Sequence, residues 1–218
     1  MSRSLLSAFE EKNRPLVDGV RVHLASIAAD PAMHARFLNM LSLLEHIGSR
    51  KIMTCRATRA PGLELLKHLT EESRHAFFFK RAAEGLAGRS LDYNSEDTIA
   101  PASARSYMGR LDAEINGALQ DAAPELPYLY MSLIVELRAT WLYRIYQDVL
   151  ASQKSTLSLR SVLAEEQMHL EEMVACLHVN DPETPARIAR FCAFEETRFH
   201  SLWSAVGTEC AGRSLAAE

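Results

Sequence analysis

A short motif, Glu-Glu-x-x-His, occurs twice in this chain, ending once at His75 and once at His169. On an α-helix, residues three positions apart lie on one face, about one turn apart. Glu72 with His75, and Glu166 with His169, can therefore each present a carboxylate and an imidazole to one point. Chance alone supplies roughly one Glu-x-x-His in a chain of this composition. The repeat becomes informative if other features bring the two pairs together.

Composition favours an α-helical globular protein. The 218 residues can bury a sizeable core, and they include 48% apolar and 24% charged residues but only 9 Gly and 8 Pro. Good helix formers such as Ala, Leu, Glu and Arg are prominent. We therefore expect a mostly helical fold.

Charge and hydropathy argue against several classes of protein. A net charge of −4 is unlike that of a dedicated nucleic-acid binder. The chain has no apolar run of about eighteen residues for a membrane span, and its start becomes charged too early for a secretory signal. We expect a cytoplasmic protein without a membrane span. The 4 Cys form no Cys-x-x-Cys pair, so neither a zinc site nor a redox disulfide is indicated.

Breaks at proline, glycine and polar stretches divide the chain into predicted helices, and Asp30 before Pro31 is typical of a helix start. The predicted helices cover residues 5–28, 31–56, 62–87, 101–120, 127–152 and 158–179, with a last helix after Pro182. No strand-like alternation is present, so the predicted fold class is all-α. We predict one domain, 1–218, with a core at about 30–180, flanking helices at 1–29 and 181–205, and a frayed tail at 206–218.

Four of these helices carry polar residues in the middle of an apolar stripe. The distances along the chain between these polar residues and the breaks indicate that the polar residues lie at the same height in neighbouring helices. Glu45 and Glu72 are level in an antiparallel pair if the turn lies near position 58 or 59, and the chain has a break at 59–62. The midpoint between Glu136 and Glu166 also falls at a polar break. The candidate metal ligands are Glu45, Glu72, His75, Glu136, Glu166 and His169.

The long segment between His75 and Glu136 predicts a crossover that carries an extra helix. One Glu from each of two helices, and Glu-x-x-His from each of two others, is the ligand order of a ferritin-like di-metal bundle. Carboxylate and imidazole ligands suit two iron ions, with manganese or a mixed iron and manganese pair as alternatives. Ligand histidines also need outer partners, for which Glu71 and Glu165 are the candidates, with Arg74 as a charge partner. We expect Glu165 to partner His75, the histidine of the other motif.

Across about residues 30–180 the chain resembles the ferritin-like non-haem di-iron carboxylate superfamily. The segment from Glu136 to Thr140 is similar to the bacterial multicomponent monooxygenases, in which a threonine one turn after this glutamate faces the oxygen-binding side. Their Asp-Glu-x-Arg-His motif corresponds to residues 71–75, with Glu71 in place of the aspartate. The resemblance implies an oxygen-side role for Thr140. Phe79 and Tyr143 share the ligand stripes and are candidate pocket residues.

The expected function is that of a di-iron oxygenase or oxidase that activates dioxygen to oxidise a small or hydrophobic organic substrate. Electrons would come from an external ferredoxin or flavoprotein, because the chain has no visible electron-transfer module. We expect a monomer or homodimer. Length and ligand order are also similar to aldehyde-deformylating oxygenases and to tRNA-hydroxylating members of the superfamily, so a tRNA substrate stays open.

Three alternatives remain from the sequence alone. A ferroxidase or iron-handling protein would use the same ligands without an organic substrate. A metal-free bundle would pair its buried Glu and His residues with each other, although burying four carboxylates without a cation is costly. Glu196 and His200, one turn apart, could supply an extra ligand, but we interpret them as a solvated or packing pair.

Overall fold

The computed structural model of this chain describes residues 2–54 and 62–214. Within these ranges the chain forms α-helices and one short 3-10 helix, and no strand, as the sequence predicts. None of the helices described is long and apolar enough to cross a membrane. The helices are α1 (Ser2–Asn13), α2 (Val17–Ala29), α3 (Pro31–Thr54), α4 (Leu63–Ala87), α5 (Pro101–Ala118), α6 (Leu126–Ser152), α7 (Arg160–Asn180) and α8 (Thr184–Ser214), with the 3-10 helix Arg14–Leu16 between α1 and α2.

Local sequence signals set the ends of the long helices. The Asp30 carboxylate accepts hydrogen bonds from the backbone N–H groups of Ala32 and Met33, at 2.9 and 3.2 Å, and so caps α3. At the far end of α4, Gly88 adopts a left-handed conformation with φ 66°, which a glycine tolerates without strain. Both signals were read correctly from the sequence.

Two predicted segments differ from the structure. The first helix, expected over 5–28, is divided in two by the 3-10 helix, because Pro15 cannot donate a helical hydrogen bond. The last helix continues to Ser214 where a frayed tail from 206 was expected. Glu209 anchors it by accepting hydrogen bonds from Arg36, at 2.6 Å, and from the backbone N–H of Ala100, at 2.7 Å.

Helices α3 and α4 form an antiparallel pair. Ser42 Oγ donates to the carbonyl of Ala76 at 2.7 Å, and Lys80 Nζ donates to Asn39 Oδ1 at 2.9 Å, so residue numbers rise on one helix as they fall on the other. The predicted turn between these helices lies mostly outside the described residues. The pair matches the antiparallel hairpin that the sequence spacing predicts.

Helices α6 and α7 also run antiparallel. Arg144 contacts Gln167 at 3.4 Å, and the backbone N–H of Leu159 donates to Gln147 Oε1 at 2.6 Å. Further packing joins α3 to α6 and α4 to α7, so each of the four helices has two neighbours among the other three. Their facing stripes enclose a common interior.

The crossover helix α5 and the last helix α8 pack against the outer face of α6, one of the four helices around this interior. Helix α5 packs on α8, and both contact α6. A buried ion pair ties α6 to α8, since Arg138 Nη2 lies 2.8 Å from Glu195 Oε2. Tyr107 on α5 donates to the same carboxylate at 2.8 Å. These contacts hold the wall of α6, which carries one candidate metal ligand, Glu136, together with Thr140 and the candidate pocket residue Tyr143.

Candidate metal centre

All six predicted ligands lie together and buried between α3, α4, α6 and α7; the most exposed, Glu45, is 7% exposed. Their ligand atoms, with those of His68, form two groups that share the carboxylate of Glu72. Within each group the ligand atoms lie within 4.8 Å of one another. The two-histidine group contains His68, Glu72, Glu136 and His169, and the one-histidine group contains Glu45, Glu72, His75 and Glu166.

Two carboxylates span the groups. Glu166 Oε1 lies 3.1 Å from His75 Nδ1, and its Oε2 lies 3.3 Å from His169 Nδ1. Glu72 Oε1 lies 3.7 Å from the Nδ1 atoms of the same two histidines. Carboxylates in such positions can each touch two cations. The arrangement therefore suits a pair of metal ions better than a single one.

Each motif supplies the outer hydrogen-bond partner of the other motif's histidine. His75 Nε2 donates to Glu165 at 2.8 Å, and His169 Nε2 donates to Glu71 at 2.8 Å. Arg74 lies 2.6 Å from the Glu165 carboxylate. Because the Nε2 atoms are engaged outward, both Nδ1 atoms face the shared interior. Partners of this kind set the ring orientation and tautomer of ligand histidines.

Three buried polar atoms in this interior make no hydrogen bond of acceptable geometry among the described residues, although two of them lie 3.1 Å apart. They are Glu72 Oε1, and the neighbouring pair Glu166 Oε1 and His75 Nδ1. Leaving buried polar atoms unpaired is costly, and each such case requires an explanation. A cation between these atoms would satisfy all three, and the four carboxylates would balance about four positive charges. The residues present therefore fit a metal pair.

Without cations, the site holds protons. Burial and the charge of Glu72 raise the pKa of Glu45 well above its ordinary value, and burial and Glu136 do the same for Glu166. Burial also opposes the charge on Glu136, but hydrogen bonds with Glu166, His169 and His68 hold its pKa well below the ordinary value. The buried carboxylates thus divide into protonated and ionised members.

The imidazoles compensate part of this negative charge. Burial lowers the pKa of His68, but hydrogen bonds with Glu136 and Glu72 outweigh it and raise the pKa to about 9. For His169, hydrogen bonds with Glu136 and Glu166 outweigh burial and raise the pKa to about 10. Metal ions would displace the protons from these nitrogens, so metal binding should release protons.

His68 is the residue that motif reasoning missed. It is buried, and its Nε2 lies 3.4 Å from Glu136 and 3.5 Å from Glu72, while its Nδ1 shares a 2.5 Å hydrogen bond with the Tyr128 hydroxyl. The signal was present, because residues four apart share a helix face and His68 precedes Glu72 by four. Only Glu72 and His75 on this helix were predicted as ligands, because only they form the Glu-x-x-His motif.

Replacing His68 by alanine tests whether it is a seventh ligand. We expect the two-histidine group to lose most of its affinity, so that the bound metal falls from about two ions per chain towards one. The one-histidine group keeps all its side chains. Metal content measured after dialysis checks this, with His178→Ala on the outer part of α7 as the control. Retention of two ions by His68→Ala would exclude a ligand role.

The remaining predicted residues have distinct surroundings. The Tyr143 hydroxyl donates to the Glu45 carboxylate, and the Phe79 ring lies 5.4 Å from the Tyr143 ring. Thr140 is fully buried, and its hydroxyl has no partner in the described part of the chain. Its oxygen-side role stays a prediction. Glu196 pairs with Lys12 at 2.7 Å and is not among the residues of the centre.

Two cavities reach the centre. A small one of about 50 Å³ is bordered by Glu45, Glu72 and Glu136 and otherwise mainly by apolar side chains, including Leu142 and Trp203. A larger one of about 290 Å³ ends at the two-histidine group. Gly48 lines both cavities, which places this residue where they meet.

Gly48→Ala is expected to stabilise the protein. A methyl group at this position would lie 3.4 Å from Glu72 Oε2, an ordinary contact. Glycine is less favourable than alanine inside a helix, so we expect the free energy of unfolding to rise by about 0.5–1 kcal/mol. Denaturant unfolding of the metal-free protein measures it. Gly85→Ala, with open space around it, is the control. The prediction would be contradicted if Gly48→Ala lowered the free energy of unfolding while Gly85→Ala raised it.

Comparisons of the chain with protein-family models, curated proteins and solved structures found no match. No relative therefore supplies an activity or a ligand for this chain. The buried His and Glu groups, which could hold metal ions, are the feature of this chain that bears on its function.

Proposed function

We propose that this protein is a ferritin-like di-iron oxidoreductase that activates dioxygen to oxidise a small organic substrate. The observation that carries the proposal is the pair of buried ligand groups that share Glu72 and leave buried atoms unpaired around a common interior. Buried carboxylate oxygens that lack a hydrogen bond are unfavourable unless a cation is bound.

The chain order of the ligands supports a ferritin-like bundle. Helices α3 and α6 each contribute one Glu, α4 and α7 each contribute Glu-x-x-His, and α5 lies in the long crossover between the two hairpins. This is the ligand arrangement of ferritin-like di-metal carboxylate proteins. The additional His68 would distinguish the two metal positions chemically, because one would have two imidazoles and the other one.

The ligand types favour iron or manganese. Carboxylate oxygens and imidazole nitrogens are the donors present, and no thiolate contributes to either group. A bound pair of ferrous ions would supply the electrons that reduce dioxygen. The side chains of the protein hold the ions, and Glu71 and Glu165 orient the imidazoles through the hydrogen bonds described above.

The small cavity beside the centre favours dioxygen as a reactant. It offers about 50 Å³ next to three ligand carboxylates, and most of its other lining residues are apolar, including Trp203 and Leu142. The space is large enough for a diatomic gas.

The alternative is a ferroxidase that handles iron without an organic substrate. The larger cavity weighs against it, because a path for Fe(II) ions would have carboxylates along its length, whereas no described carboxylate lines this cavity between Asp112 and the ligands Glu72 and Glu136. Inside the mouth, its walls carry Met108, Met131 and Val135, which suit an organic molecule. Size-exclusion chromatography separates the two, since a storage cage is a large assembly and an oxygenase of this type is a monomer or dimer.

Metal analysis and oxygen uptake test the proposal together. We expect about two iron ions per chain and reductant-dependent oxygen uptake by the iron-loaded protein. Glu136→Ala and His169→Ala should each lower both quantities. Glu172→Ala, which removes an exposed carboxylate paired with Lys67 at 3.0 Å, is the control. Unchanged iron binding and oxygen uptake in Glu136→Ala and His169→Ala would rule the proposal out.

A further inference from the structure

The larger cavity runs from the protein surface to the candidate metal centre. Its volume is about 290 Å³, near the lower end of the range for small-molecule sites. Exposed Thr54, Asn116 and Pro124 lie at its outer end, and buried Glu72 and Glu136 lie at its inner end. A compact molecule in this cavity would extend from solvent to the metal positions, whereas a long lipid chain would not fit.

The walls of the cavity change character along its length. Ile52, Met108, Met131 and Val135 give the inner part an apolar surface next to the ligands. The outer part holds an ion pair between Lys51 on α3 and Asp112 on α5. A ligand matching both parts is amphipathic, with its apolar end towards the metal positions.

The polar groups at the outer end favour a hydrogen-bond acceptor over a cation. The Asp112 carboxylate already accepts from Lys51 and, at 3.1 Å, from Asn116 Nδ2. The Lys51 ammonium has three N–H donors, and one of them serves Asp112. Lys51 therefore retains donors for a ligand, and it is the one Lys or Arg side chain among the cavity's described lining residues.

We propose that this cavity binds a small carboxylic acid with a compact apolar tail. Its carboxylate contacts Lys51, and its tail lies between Met108, Met131 and Val135, pointing to the two-histidine group. The proposal rests on the proposed function only where it calls this molecule the substrate. Binding itself depends on the cavity and on Lys51, and can be measured without any reaction.

Titration calorimetry with phenylacetate tests the charge preference. Metal-free and Zn(II)-loaded protein should both bind phenylacetate saturably, and phenethylamine at least tenfold more weakly. Lys51→Met should weaken phenylacetate binding at least tenfold, whereas Asp112→Asn should retain or strengthen it. Arg81→Met, which removes one positive charge at a different cavity, is the matched control and should bind as the parent does.

Paramagnetic relaxation in Mn(II)-loaded protein tests the orientation. The ring proton opposite the side chain of phenylacetate should relax faster than the methylene protons, because the ring points to the metal positions. Val135→Trp, which fills the inner part, should abolish both the relaxation and the calorimetric signal. Thermal melts and metal content verify that each variant is folded.

Three results would overturn the inference. These are no binding of phenylacetate, benzoate or hexanoate by the parent, equal binding by parent and Lys51→Met, or faster relaxation of the methylene protons than of the ring. Failure of the proposed function is a separate result. In that case phenylacetate binds as described, while iron-loaded protein consumes no oxygen with or without it.

Discussion

Glu72→Gln is expected to remove both metal ions from the protein, because this carboxylate belongs to both ligand groups. The amide keeps the size of the side chain but loses the negative charge and one of the two metal-binding oxygens. Loss of an outer partner of a ligand typically costs 10–100-fold in metal affinity. A shared ligand should cost more, so we expect a decrease of more than about 100-fold, measured by competition with a chromophoric chelator.

Ser73→Ala is the control for Glu72→Gln. Its hydroxyl is exposed and donates to the carbonyl of Leu69 at 2.8 Å, so its removal leaves the centre intact. Circular dichroism of both variants confirms that the helices are formed. If Glu72→Gln bound two ions with parental affinity, the two groups would not share this ligand.

Removing the metal ions is expected to lower the melting temperature strongly. A ligand present at a thousand times its Kd stabilises the native state by about 4 kcal/mol. For a chain of this size, that corresponds to roughly 8–16 °C in Tm. Calorimetric melts of metal-loaded and chelator-treated protein measure the difference. A metal-free bundle would show the same Tm in both samples.

The metal-free protein should also lose stability as the pH rises. The pKa values of His68 and His169, about 9 and about 10, lie above the ordinary 6.5. Their protonation therefore stabilises the native state fully below pH 6.5, and this contribution is lost as the pH rises through 9–10. Over the same pH range the metal-loaded protein should become more stable relative to the metal-free protein, because fewer protons compete with the metal ions for the ligands.

Melts at several pH values between 6.5 and 10 check this prediction. His68→Gln removes one of the two groups with raised pKa values and should flatten the slope for metal-free protein. His200→Gln, on the exposed face of α8, is the control and should leave the slope unchanged. A Tm of the metal-free parent that rises over this interval would contradict the prediction.

Local signals were sufficient for most of the helix boundaries. Asp30 and Pro31 start α3, and Gly88 ends α4, because capping depends on a few neighbouring residues. Local signals did not predict a helix end that depends on contacts with residues distant in the sequence. The extension of α8 depends on Glu209 meeting Arg36, a residue far away in the chain, and no local pattern encodes that contact.

The sequence by itself determined the helical class and the six residues that face one interior, because helix periodicity places residues three and four apart on one face. Only the tertiary structure decided how these residues combine. It placed Glu72 in both groups. It also placed His68 in the two-histidine group, although this residue is not part of the Glu-x-x-His motif. Such contacts depend on the relative heights and rotations of packed helices, which spacing along one helix does not specify.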